Sequence, residues 1–497
     1  MKNKILILSI VVLSISPSCY RDLGNYDYTA INELEISGIP SDTSVQKFEI
    51  LKINPIFKRS IDETEDGLIY SWKCVDKEIS TNRNLEYEIP SGVKAGRNDF
   101  YFTVTDTKTG MRFLKTFDVN VVSPFSWGYY FLCENDEKRT VLSYFSTKKD
   151  NERFINTTSV GDYEFGFEPV AMGSSFGNIS SLGNYYWTFS IVSKKGDYNV
   201  ITTENGSFMP NAIISSESFI TPGITFNPTE TITLGDKSLY YVSDGKVVRY
   251  SSGLLYRPGN TPNYKWSNLA GYYGYIFGFD EITRKYYVLK TQINDPVNGL
   301  VADNYALDRV VPIDNQPDIT GLTIIGTAHD YDFPFQTLEY IVAGNNEIKI
   351  ITLKYADNDP YSEPALFEYG ECSNVVTIQI SGVDKNSKII ELDNDWYITA
   401  KNKIYSSPKL LPSFKEFITL PQDLGDIVAI QPSAKQQYLL VATYNPASSE
   451  QHKGSFAEVE IKDKKYTIYQ NVFDKCVKIG AFNSDPASWP FGFGDPK

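Results

Sequence analysis

The sequence predicts an all-β protein in two parts, an immunoglobulin-like sandwich followed by a β-propeller of about seven blades. Three observations carry this. Hydrophobic residues alternate with period two from about residue 28 to residue 124. Beyond that point, seven aromatic-led strand–turn–strand hairpins recur. The composition, with 14% aromatic residues, 33 glycines and 25 prolines in 497 residues, favours strands and tight turns. Helical signals are scarce; residues 408–426, for example, are broken by Pro412, Pro421 and Gly425.

Charge and histidine content narrow the chemistry. With 47 basic and 61 acidic residues the net charge is −14, which excludes the basic face that nucleic acid requires. It also opposes docking on anionic lipid by charge alone. Any Ser-His-Asp triad or multi-histidine metal site would have to use His329 or His452, because there are no other histidines.

The chain opens with MKNKILILSIVVLSISPSCY. Lys2 and Lys4 precede an apolar run from Ile5 to Ile15 that is too short for a bilayer of ~30 Å and fits the core of a signal peptide over residues 1–18. Ser16-Pro17-Ser18-Cys19 resembles the lipobox of bacterial lipoproteins in the looser form found in Bacteroidetes, with Ser16 where the common pattern has Leu. The resemblance implies cleavage before Cys19, lipidation of its thiol and a lipid-proximal linker over residues 19–27. The other reading is a general secretory signal with an incidental cysteine. Of the remaining cysteines, Cys74, Cys133, Cys372 and Cys476, no two lie close in sequence, so no zinc ribbon or redox motif is expected. Cys74 and Cys133 sit in apolar strand patterns and read as small buried hydrophobes, and the disulfide pairing stays open.

Residues 28–124 form the predicted sandwich. Leu68, Tyr70, Trp72 and Cys74 share one strand face; Phe100, Phe102 and Val104 share another; Phe117, Val119 and Val121 a third. Trp72 on a middle strand is the expected core filler. Three stretches here, CYRDLGNYDYTAINELEISG, YSWKCVDKEISTNRNLEYEIP and FTVTDTKTGMRF, resemble the PKD-like lipoproteins of Bacteroidetes. That resemblance implies an Ig-like (PKD-like) stalk carrying a larger β-rich domain, encoded beside outer-membrane uptake receptors and their surface lipoproteins. It carries no catalytic residues.

Residues 125–497 read as the propeller. The hairpins start at Tyr129, Tyr185, Tyr240, Tyr275, Tyr340, Trp396 and Tyr438, a mean spacing near 51 residues, against roughly 40–50 for a four-stranded blade. A lone hairpin cannot bury its apolar face, and radial stacking solves this by burying both faces. The competing arrangement is a pair of ordinary sandwiches built from the same hairpins.

Candidate chemistry is sparse. His329, in TAHDYDF beside Asp330 and Asp332, is a possible metal or base position with no second histidine nearby in sequence; His452, in SSEQHKG, is expected in solvent. Asp357-Asn358-Asp359 and Asp393-Asn394-Asp395 lack the glycine and distal glutamate of a calcium loop and read as turns. No GxSxG, HExxH, phosphate-loop or dinucleotide motif occurs. No catalytic residue, metal ligand or cofactor is therefore assigned. Trp266 and Tyr264, behind a Gly/Pro/Asn-rich loop, and Trp489 in the tail are the expected exposed rings for stacking on a glycan or peptide. The expected function is a non-catalytic outer-membrane lipoprotein, facing the surface or the periplasm. It would be anchored through Cys19 and would serve a nutrient-uptake receptor and its associated lipoproteins. The rival is a propeller-type glycan hydrolase or lyase using carboxylates near the central channel, and a third option is a scaffold without a small ligand.

Overall fold

The computed structural model describes residues 31–123, 127–146, 154–178, 185–204, 210–233, 239–251, 254–256, 263–272, 275–290, 309–332, 335–356, 369–433 and 436–483. Among them every regular element is a β-strand except two three-residue 3-10 turns, Ser216–Ser218 and Gln422–Leu424. No helix among them is long and apolar enough to cross a membrane. The described chain divides into two compact units, one of residues 31–42, 52–87 and 99–118, the other of residues 43–51, 88–98 and 119–483.

Most residues of the strands Arg112–Val122, Gly96–Asp106, Leu68–Cys74 and Lys77–Ser80, neighbours in that order within a five-stranded sheet, belong to the first unit, as does a separate pair, Leu34–Ser37 and Ile56–Arg59. Its strands bury one face. Along Gly96–Asp106, buried Asn98, Phe100, Phe102, Val104 and Asp106 alternate with more exposed residues, as period two requires of a half-buried sheet. Trp72 is fully buried and stacks on its cross-strand partner Phe102 at 3.9 Å, while its indole N–H donates to the Asn82 carbonyl at 2.8 Å. The buried Arg59–Asp106 pair, at 2.9 Å, is tied to the turn that follows. Asp106 Oδ1 accepts from the Lys108 N–H, and Gly110 closes the turn at φ +73°, which explains the TDTKTG motif.

The second unit holds seven four-stranded antiparallel sheets among the described residues. Six run in sequence order and begin at Phe167–Asn178, Pro228–Thr233, Trp266–Tyr272, Thr323–Asp332, Ile389–Leu392 and Asp426–Pro432. The remaining sheet, first in the chain, has the order Phe154–Thr157, Thr140–Ser146, Trp127–Glu134, Lys475–Asn483. Its last strand comes from the far end of the chain, and Tyr129 pairs with Ala481. The seven predicted hairpins are the middle two strands of the seven sheets.

Among the described residues seven buried apolar clusters join these sheets, each spanning two of them. The cluster with Tyr130, Leu132 and Met172 joins the first and second sheets; that with Phe131, Cys133, Phe456 and Ile479 joins the seventh and first. Alternate residues of Trp127–Glu134 thus face different neighbours, and both faces of the strand are buried. Large rings fill the wedges: Phe131 lies 4.8 Å from Phe473 and Tyr286 4.7 Å from Tyr340. The first strands touch from sheet to sheet, and Lys475–Asn483 touches both Asp426–Pro432 and Phe167–Asn178.

Candidate functional site

The positions singled out in the sequence do not converge. Cys19 and Trp489 lie outside the described residues, as does Asp357-Asn358-Asp359. Trp266 and Tyr264 do meet, with rings stacked at 4.7 Å, but Trp266 is only 2% exposed, which corrects its expected exposure. The reason is local. Trp266 opens the first strand of its sheet, its N–H bonded to the Gly245 carbonyl, so its ring enters the wedge between the third and fourth sheets. Gly278 makes room, since a Cβ there would sit 2.9 Å from the indole. Tyr264 stacks on that ring, lies 5.2 Å from Tyr287 and is half-buried.

His329 is buried in the strand Thr323–Asp332, its ring 5.6 Å from that of Phe277. His452 is not free in solvent as expected: its Nδ1 lies 3.0 Å from Asp474 Oδ1 and the ring is half-buried. Asp393 and Asn394, with φ of +51° and +63°, form the two-residue hairpin turn between Ile389–Leu392 and Asp395–Ala400. Among the described residues no group of three His, Cys, Asp or Glu side chains is placed to hold a metal ion.

One buried and several half-buried carboxylates bridge neighbouring segments of the second unit. Asp280 accepts from the backbone N–H groups of Lys265, Ile282 and Thr283 and from the Thr283 hydroxyl. Burial pushes its carboxyl up, and these donors outweigh burial and hold it below the usual range. Glu230, on the first strand of the third sheet, accepts from the N–H groups of Asn268 and Leu269 on the first strand of the fourth. Here burial wins, and the carboxyl is raised. Glu339 and Glu391 share the Lys409 ammonium at 3.0 and 2.9 Å, and that ammonium lies 5.5 Å from the Trp396 ring centroid. Burial pulls Lys409 down, but the two carboxylates more than offset it and hold the cation above its usual range. One cation thereby pins a strand of the fifth sheet to the sixth, the usual role of such a cluster.

An open groove of about 470 Å³ lies between the turn after Trp127–Glu134, the start of Phe167–Asn178 with the end of Tyr185–Lys195, and the start of Pro228–Thr233, lined by Glu134, Lys138, Glu168, Pro169, Val170, Lys194 and Thr229. Its shape follows from two left-handed residues. Asn135 Oδ1 accepts from Glu137 and Arg139, and Lys138 turns at φ +63°. Glu168 sits at φ +56° just before the bulge between Pro169 and Ala171 in Phe167–Asn178, its N–H bonded to the Lys138 carbonyl. Lys195, 2.6 Å away, holds the Glu168 carboxyl below its usual range. At the rim, the Arg139 guanidinium lies 5.2 Å from the centroid of the exposed Phe167 ring. The groove thus presents lysine and glutamate side chains beside the apolar Pro169 and Val170. In the sequence this groove was hidden, because it is built by three sheets and two backbone irregularities.

Residues 19–164 match the PKD-like family. None of the curated proteins matches the chain. Among solved structures, the chain is similar to a quinonprotein alcohol dehydrogenase-like protein from Bacteroides thetaiotaomicron, with 14% identity, a TM-score of 0.53, and 89% of this chain and 97% of that one covered. At that identity the likeness shows the fold, which is propeller-like. The extracellular domain of a putative one component system from B. thetaiotaomicron aligns with a TM-score of 0.34, 9% identity, and 90% of this chain and 69% of that one covered. Saccharomyces cerevisiae Sqt1 aligns with 0.36, 11% identity, and 76% and 93% covered.

Proposed function

We propose that the chain is a non-catalytic cell-envelope lipoprotein that binds a glycan or peptide as an accessory of an outer-membrane uptake system. The leader over residues 1–18 is removed, Cys19 carries the lipid, and residues 28–124 are the Ig-like stalk. The seven sheets are read as seven blades, with Lys475–Asn483 completing the first. The observation that carries this reading is the PKD-like match, which begins at Cys19 immediately behind a signal-type leader. The groove beside Glu168 and Lys194 supports a polar ligand, and Tyr264 supplies a second, aromatic contact.

Two experiments test it. Acyl labelling with and without globomycin should show lipid on the wild type and none on Cys19→Ala; unchanged labelling of the variant removes the anchor. Purified residues 20–497 should be retained by a member of a glycan and peptide panel, and Glu168→Ala with Lys194→Ala should weaken retention roughly tenfold, the equivalent of about 1.4 kcal/mol. Retention indifferent to those changes moves the site elsewhere, and cleavage of the retained glycan establishes the hydrolase or lyase instead.

A further inference from the structure

The seventh and first sheets meet at a pair of thiols. Cys133, at the end of Trp127–Glu134, lies directly opposite Cys476, near the start of Lys475–Asn483. The pairing is not a by-product of regular register. Leu132 faces Lys478, and a bulge then skips Val477 to bring Cys476 opposite Cys133. Both side chains are buried, at 0% and 2% exposure, in one cluster with Phe131, Phe456 and Phe473. Both are free thiols here. Opposed Cα atoms of antiparallel strands are roughly 4.5–5.5 Å apart, inside the range of about 4.4–6.8 Å that a disulfide spans.

We propose that Cys133 and Cys476 join as a disulfide when the chain folds in an oxidising medium, tying the C-terminal strand to the first strand of the second unit. The two residues are 343 positions apart, so the bond closes nearly the whole unit into a covalent loop. No other strand pairing in the seven sheets spans such a distance; the other six sheets are built from strands consecutive in the chain. A cross-link there restrains the one sheet that hairpin connections alone cannot hold together.

The chemistry is thiol–disulfide exchange with a small-molecule or protein disulfide as oxidant. One cysteine thiolate attacks a sulfur of the oxidant and expels a thiolate. The second cysteine thiolate attacks the resulting mixed disulfide at the protein sulfur and expels the other. Two protein thiols lose two protons and two electrons, and the oxidant gains both as two thiols. Burial in the closed sheet raises the Cys133 thiol well above its ordinary range and shuts out reagents, so the exchange occurs while Lys475–Asn483 is open, during folding or fraying. The envelope reading supplies the oxidising compartment, but the bond itself is testable without it.

The full chain is unfolded and reduced, refolded in a mixture of reduced and oxidised glutathione, then denatured in acid and alkylated. Alkylated cysteines should fall from five to three per chain, and peptide mapping without reductant should find Cys133 linked to Cys476 with Cys74 and Cys372 alkylated. The oxidised protein should unfold at a higher guanidinium concentration than the same protein after reduction. Cys133→Ser and Cys476→Ser should each abolish the linked peptide; if either fails to fold, the reduced wild type provides the same comparison. Five alkylated cysteines in a chain with native circular dichroism overturn the proposal, as do a link to Cys74 or Cys372, or equal unfolding midpoints with and without the bond. The anchor and groove experiments do not depend on any of these outcomes.

Discussion

The two units solve the same burial problem in different ways. In residues 99–106 of the first unit every second side chain is buried, and the sheet keeps one wet face. In Thr140–Ser146 and Leu239–Ser243 of the second unit every residue is buried, because each sheet lies between two neighbours. A sheet with one wet face needs a single good core, whereas a stacked sheet needs two, supplied by alternate residues of the same strand. Rings such as Phe131, Phe473, Tyr286 and Tyr340 supply part of both cores in the second unit.

The contrast predicts that neighbouring positions respond alike in the second unit and oppositely in the first. Phe131→Ala and Leu132→Ala, one residue apart and facing different sheets, should each cost about 3–5 kcal/mol in guanidinium unfolding. Phe102→Ala should cost as much, while Ile69→Ala, 56% exposed in the adjacent strand, should stay within about 0.5 kcal/mol. A small effect at either Phe131 or Leu132 breaks the two-sided picture.

Both units close a turn with a buried aspartate, and the difference between the two sharpens the comparison. Asp106 carries the buried Arg59 as well as its turn, so Asp106→Ala should cost about 3–5 kcal/mol through the stranded cation. Asp280 holds only N–H and hydroxyl donors, so Asp280→Ala should cost about 1–3 kcal/mol. Thermal unfolding of the two variants checks the order.

Tyrosine titration gives a smaller and graded effect. In the first unit burial, reinforced by Glu65, pushes Tyr70 to about 12, and burial with a lesser push from Cys74 takes Tyr87 to about 12. In the second unit burial drives Tyr130 and Tyr286 well above the usual value, with smaller contributions from Tyr144 and Glu230 respectively. Folded values above the unfolded value of ~10 mean that the stabilisation is whole below pH ~10 and is lost as pH rises through the folded values. Absorbance at 295 nm should therefore show Tyr70 and Tyr87 ionising first, and Tyr130 and Tyr286 only as the second unit unfolds. A single unshifted transition near pH 10 in a protein that keeps its circular dichroism contradicts this.

Much of the architecture was legible because its causes are local. Period two is visible in GLIYSWKC, and the seven hairpins were found from their leading aromatic residues and polar turns. The first strands of five of the sheets were harder to see, being interrupted by bulges such as those at Pro169 and Gly326 that break the alternation. The burial of Trp266 was misread because the loop before it is local while the wedge that receives it is not. The groove at Glu168 and the Cys133–Cys476 juxtaposition depend on residues brought together from distant parts of the chain, and no local pattern announces them.

Closure of the seven-sheet unit by its C-terminal strand is the claim on which the rest stands, and hydrogen exchange read by mass spectrometry tests it directly. Peptides covering Lys475–Asn483 should exchange as slowly as those covering Tyr438–Tyr444, with protection lost in both together as denaturant is raised. Exchange of Lys475–Asn483 within seconds, while Tyr438–Tyr444 stays protected, would contradict it.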